Sequence, residues 1–168
     1  MTTHPVKTYT ARPIDPGTLT ELRSADDSGR AREPFTDEEG GAPLRCCLRR
    51  GAPGERIVLV SYAPLRRWAA RTGVDPGAYD ERGPVFVHAA ACPGPAGGAA
   101  GHPFGNAHRT VRRYSADGRI LGGRLVQEPG GPEGFDAAFA EAFADPEVAL
   151  VQVRAVEYGC FLYEVRQP

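Results

Sequence analysis

Apolar residues follow two periods along this chain, and the periods predict its elements. Short β-rich runs dominate. Glu55 to Tyr62 contains Ile57-Val58-Leu59-Val60, the most hydrophobic run of all. A continuous apolar run bounded by turn residues suits a strand covered on both faces. Val85-Phe86-Val87 reads as another strand, entered through Gly83-Pro84. Val6 to Ala11 alternates loosely and predicts one more. Arg109–Ser115 and Arg119–Val126 flank Ala116-Asp117-Gly118, and an Asp-Gly between strand-like runs marks a hairpin. Val148–Val156 and Cys160–Arg166 flank Glu157-Tyr158-Gly159 and predict a second hairpin.

The helical period appears three times. Asp15-Pro16 offers an N-cap followed by proline at the first helical position, so a short helix covers about Pro16 to Arg23. Leu65, Trp68 and Ala69 share one face of a helix that starts at Pro64 and ends at Gly73. Phe135, Phe139 and Phe143 recur at i, i+4 and i+8 in a helix from about Glu133 to Phe143. That aromatic stripe reads as a core face rather than a cofactor box.

About seven strands and three short helices, joined by hairpins rather than βαβ units, predict an α+β fold with a mainly antiparallel sheet. The 168 residues suit one domain spanning 1–168. Glycine and proline (21 and 16 residues) concentrate in connections, which implies loops rather than disorder. The polar stretch 24–42 reads as a mobile surface loop, and 93–101 as a Gly/Pro-rich one.

Charge adds an asymmetry that the net value of −1 conceals. Residues 1–40, 41–124 and 125–168 balance at −3, +8 and −6. The ends can neutralise the middle, or the middle can build an anion site. Only Lys7 among the 20 basic residues is lysine. With abundant Ala, Gly and Pro, that bias suggests GC-rich bacterial codon usage. The arginine excess is therefore no argument for nucleic acid, and no recognition motif appears. No apolar run is long enough to span a membrane. The start, Met1-Thr2-Thr3-His4-Pro5, lacks the pattern of a signal peptide, so a cytoplasmic protein with reduced cysteines is expected.

Candidate chemistry gathers in Tyr79–Cys92, with Pro43-Leu44-Arg45-Cys46-Cys47-Leu48 as a second patch. His88 and Cys92 lie four apart at the end of the apolar strand. A thiol-dependent enzyme would use Cys47 or Cys92 as nucleophile with His88 as base. Arg45, Arg49 and Arg50 beside the cysteine pair would lower a thiol pKa. A zinc site would use His88 and Cys92 with Cys46 and Cys47. Neighbours on a strand point to opposite faces, however, and no Cys-x-x-Cys occurs, so no metal is assigned and no cofactor is expected. Cys160, inside the final strand run, is expected to be inert. The leading reading is a binding or accessory domain for a small anionic ligand. Its pocket would combine His88, Cys92 and Cys47 with Arg45, Glu81 and Tyr79.

Three patches carry a resemblance. They are Pro43–Leu48 with Gly54-Glu55 and the following strand, Tyr79-x-Glu81-x-Gly83-Pro84-Val85-Phe86-Val87-His88-Ala89 with Cys92, and Tyr158-Gly159-Cys160-Phe161. On these the chain resembles the bacterial family called domain of unknown function 1203, over about Pro43 to Val165. The family pattern has a cysteine where this chain has Leu44. Cys47 matches the second cysteine of that pattern, and Cys46 is an addition. The resemblance implies a family without an assigned activity, so any mechanism has to come from the residues themselves.

Overall fold

Asp15 starts the first regular element as its spacing predicts. Its side chain accepts from the Thr18 N–H at 3.0 Å, and Pro16 opens α1 (Pro16–Ser24). Leu19 and Leu22 point inward and pack on Val58 and Val60. In the computed structural model, which describes residues 8–96, 102–127 and 132–168, the chain then builds two sheets from nine strands.

The first sheet contains β1 (Phe35–Asp37), β2 (Pro43–Leu44), β3 (Arg49–Arg50), β4 (Glu55–Tyr62) and β5 (Gly83–His88). They lie in the order β1-β4-β5-β2-β3. β4 and β5 pair antiparallel, with Ile57 opposite His88 and Tyr62 opposite Gly83. β2 instead runs parallel to β5, with Leu44 opposite Phe86. The second sheet contains β6 (Arg109–Ser115), β7 (Ile120–Val126), β8 (Val148–Ala155) and β9 (Phe161–Val165), in the order β7-β6-β8-β9 and antiparallel throughout.

Each helix covers apolar surface that a sheet cannot bury alone. α2 (Pro64–Thr72) sets Leu65 and Trp68 against Tyr114 and Leu150, and Gly73 ends it in the left-handed region at φ 75°. α3 (Pro132–Phe143) buries Phe135, Phe139 and Phe143 against Val151, Val153 and Tyr163 of the second sheet. Tyr9 stacks on Phe143 at a centroid distance of 5.6 Å. Phe161 crosses from β9 into the first sheet's core, edge-on to Tyr62 at 5.3 Å.

The architecture is α+β, but in place of the expected seven strands in one sheet the described residues form nine in two. The additions, β1 to β3, are two or three residues long, too short to show any period. The strand expected over Val6–Ala11 begins among residues outside the described ones. Its described part, Thr8–Ala11, forms no strand, and Arg12 makes an isolated bridge with Glu164. The polar stretch 24–42 contains β1 and a buried Asp26, which accepts from the Ser61 N–H of β4 at 2.9 Å. Of the loop expected over 93–101, residues 97–101 lie outside the described ones. β4 is not covered on both faces, because Leu59 stays 40 % exposed where the second sheet stands away from the first. No described helix is long and apolar enough to cross a membrane.

Candidate metal centre

β2 and β3 form a tight antiparallel hairpin whose tip is Arg45-Cys46-Cys47-Leu48. β2 stops at Leu44, and the tip makes one helical turn, with the Leu48 N–H donating to Leu44 O at 2.9 Å. Leu48 takes φ 55° to bring the chain back into β3. On a continued strand Cys46 and Cys47 would point apart. On this turn they point to the same side, with their sulfurs 3.9 Å apart. The expected obstacle to a shared site is thus removed by a local break in the strand.

The parallel pairing of β2 with β5 then carries this tip to the end of β5, where His88 sits. The Arg45 N–H donates to Phe86 O at 2.9 Å and fixes that register. His88 Nδ1 lies 3.3 Å from Cys46 Sγ and 3.8 Å from Cys47 Sγ. The Ala89 N–H donates to Arg56 O and extends the β4–β5 ladder one residue past His88, and the chain that follows brings in Cys92. All four donor atoms of Cys46, Cys47, His88 and Cys92 lie within 4.8 Å of one another. A tetrahedral zinc with Zn–S near 2.3 Å and Zn–N near 2.0 Å separates its sulfurs by about 3.8 Å, and sulfur from nitrogen by about 3.5 Å. The Cys46–Cys47 separation and the two from His88 Nδ1 lie near those edges, and Cys92 Sγ stands within 4.8 Å of the other three donors.

The surroundings orient the imidazole. Its Nε2–H donates to Glu55 Oε1 at 3.1 Å, which leaves the Nδ1 lone pair facing the sulfurs. Arg49 Nη2 is more distant from Nε2, at 3.4 Å, and donates instead to Glu55 Oε1 at 2.6 Å. The second Glu55 oxygen accepts from Arg49 Nη1 and from the Ala52 N–H at 2.7 Å. These hydrogen bonds, Arg49 first, hold the Glu55 carboxyl well below its ordinary range. The His88 N–H donates to Cys46 Sγ at 3.3 Å.

The expected net lowering of the thiol pKa values is not found, although Arg49 does pull Cys47 downward. Burial pushes Cys46 up to about 12, and burial with the nearby Cys92 thiol raises Cys47. Arg49 is engaged by Glu55. Arg45 turns the other way, donating from Nε to Phe161 O at 2.7 Å, and burial lowers its own pKa to about 10. The mouth of the cluster is a hollow of about 260 Å³ that also exposes Arg56 and Pro93.

Of the sequence candidates, Cys47, His88 and Cys92 come together, with Cys46 as a fourth member. Glu81 and Tyr79 do not join them. Glu81 lies beyond the opposite end of β5 and binds Arg112 at 2.8 Å, while Tyr79 is exposed on a 3-10 turn, Gly77–Tyr79. Sequence reasoning passed over Glu55 as a partner of His88. Antiparallel pairing of the two apolar runs would have suggested it. Elsewhere, His102 Nε2 meets Asp136 Oδ1 at 2.8 Å. Cys160 is half-buried just ahead of β9.

A family model described as protein of unknown function (DUF1203) matches residues 41–167, a span that includes every residue of the cluster. No curated protein and no solved structure matches the chain.

Proposed function

We propose that this chain, which belongs to the DUF1203 family, is a metal-stabilised domain in which Cys46, Cys47, Cys92 and His88 Nδ1 hold one zinc ion. The observation that carries the reading is the convergence of three sulfurs and one imidazole nitrogen from two stretches some forty residues apart, Cys46-Cys47 and His88–Cys92, all within 4.8 Å. Thiolate and imidazole donors select zinc over the hard cations, which take oxygen. Four protein ligands fill a tetrahedral shell and leave no position for substrate, so the role is structural rather than catalytic. Such an ion would clamp the β2–β3 tip to the end of β5 and to the chain that follows it. Glu55 would act as the orienting carboxylate behind His88.

The test is metal content and metal-dependent stability of the full chain. About one zinc per chain is expected after purification without chelator. Cobalt exchange should give the visible bands of a tetrahedral thiolate site, and Cys92→Ser should weaken them. Failure of the thiols to take up added zinc or cobalt stoichiometrically would refute the reading. Selective alkylation of Cys47 or Cys92 in the metal-loaded protein would favour a thiol enzyme instead.

A further inference from the structure

A cleft of about 450 Å³ opens between the two sheets, and none of its lining belongs to the cysteine cluster. The size is that of a small-molecule site. Leu59 and Phe86 form the wall on the first sheet, and Ala155 and Leu162 form the wall on the second. Phe104 lies against Arg50, whose guanidinium carbon stands 5.7 Å from the ring centre.

The charges in this apolar space do not balance. Among the described residues, Arg45, Arg50 and Arg109 line it against one carboxylate, Glu157, which leaves an excess of two positive charges. Two of the arginines are buried, Arg45 at 3 % and Arg109 at 2 % exposure. A buried cation is costly unless a counter-charge meets it. Arg45 donates to two backbone carbonyls, Phe161 O at 2.7 Å and Pro43 O at 2.5 Å. Among the described residues no carboxylate lies within salt-bridge reach of Arg45. Arg109 meets Glu157 at 3.2 Å, but that carboxylate is 49 % exposed and screened by water. Arg109 also donates to Phe104 O and His108 O.

We propose that this cleft binds a small organic carboxylate with an apolar body. Arg45 and Arg109 meet the head group, and Leu59, Phe86 and Leu162 receive the body. A carboxylate carries the missing charge and asks only for the guanidinium N–H groups that the carbonyls leave over. Phosphate fits less well, because hydrocarbon walls cannot replace its hydration and both arginines already spend donors on carbonyls. The site does not depend on the metal reading. Its Pro43, Arg45 and Arg50 do share the β2–β3 hairpin with Cys46 and Cys47, so the as-purified full chain is the form to test.

Isothermal titration with hexanoate, octanoate and decanoate provides that test. Binding should tighten about fourfold per added methylene. 1-Octanol should bind at least about tenfold more weakly than octanoate, because it lacks the charge. Leu59→Glu places a carboxylate at a half-open strand position beside the arginines and should weaken octanoate at least about tenfold. Arg45→Met should do the same, and if that buried change prevents folding, Leu59→Glu carries the test. Absence of carboxylate binding at millimolar concentration would overturn the proposal. So would equal affinity for the alcohol, or a preference for inorganic phosphate over octanoate. Metal content measured on the same sample keeps this result separate from that of the cysteine centre.

Discussion

Replacing Asp26 by Asn tests how the polar stretch between α1 and β1 is held to the first sheet. The Asp26 side chain is 0 % exposed. Oδ1 accepts from the Ser28 N–H (3.0 Å), the Ser28 hydroxyl (2.6 Å) and the Arg30 N–H (3.2 Å). Oδ2 accepts from Arg32 Nε (2.7 Å) and the Ser61 N–H (2.9 Å). An Asn of the same shape keeps one oxygen and turns an amide NH2 toward donors that previously had an acceptor. One unsatisfied buried donor costs about 1–3 kcal/mol. The Arg32 pair is half in water and adds roughly 1 kcal/mol at most. The expected loss is about 3 kcal/mol, or roughly 6–12 °C in Tm for a chain of this size. Burial opposes ionisation of Asp26, but hydrogen bonds from Ser28, Ser61, Arg32 and Arg30 outweigh it and hold the carboxyl far below its ordinary value. Because the folded pKa lies below the unfolded value of roughly 3.9, the contribution is complete above that pH. It fades as pH falls toward the folded pKa. Urea unfolding of both proteins at pH 7 and pH 3 should show the stability gap shrinking by roughly 1 kcal/mol at the lower pH. A loss under about 0.5 kcal/mol at pH 7, or a gap unchanged at pH 3, would refute this account.

Three further outcomes follow from other parts of the molecule. Glu55→Gln should lower zinc affinity about 10- to 100-fold, read by competition with a chromophoric chelator, because it removes the charge behind His88 Nε2; unchanged affinity would mean that Glu55 does not orient the ligand. Phe139→Ala should cost about 3–5 kcal/mol in urea unfolding, since Phe139 is fully buried among Tyr9, His102 and Phe135. Tyr163→Phe should be neutral or stabilising by up to about 1 kcal/mol, because the buried hydroxyl has no hydrogen-bond partner among the described residues; a clear loss in Tm would expose a partner for that hydroxyl.

The local elements were legible wherever a motif spanned a few residues. Asp15-Pro16 started α1, Phe135, Phe139 and Phe143 set the buried face of α3, and Asp117-Gly118 turned β6 into β7. Each follows from a period or a cap that acts within about one or two turns of chain. The chemistry was legible as residue types in Tyr79–Cys92 and at Cys46-Cys47, but its assembly was not. Strand periodicity separated Cys46 from Cys47, whereas the chain leaves the strand at Leu44 and makes a single helical turn. Nothing in the local pattern announces a two-residue strand, or its parallel pairing with β5 across more than forty positions of sequence. That pairing also sends Arg45 away from the cysteines and into the space between the sheets, apart from Glu81 and Tyr79. The sequence by itself determined the α+β class, most of the strands and helices, and which side chains were available for chemistry. Only the tertiary structure decided which of them meet, because long-range pairing and the point where a strand stops set the direction of each side chain.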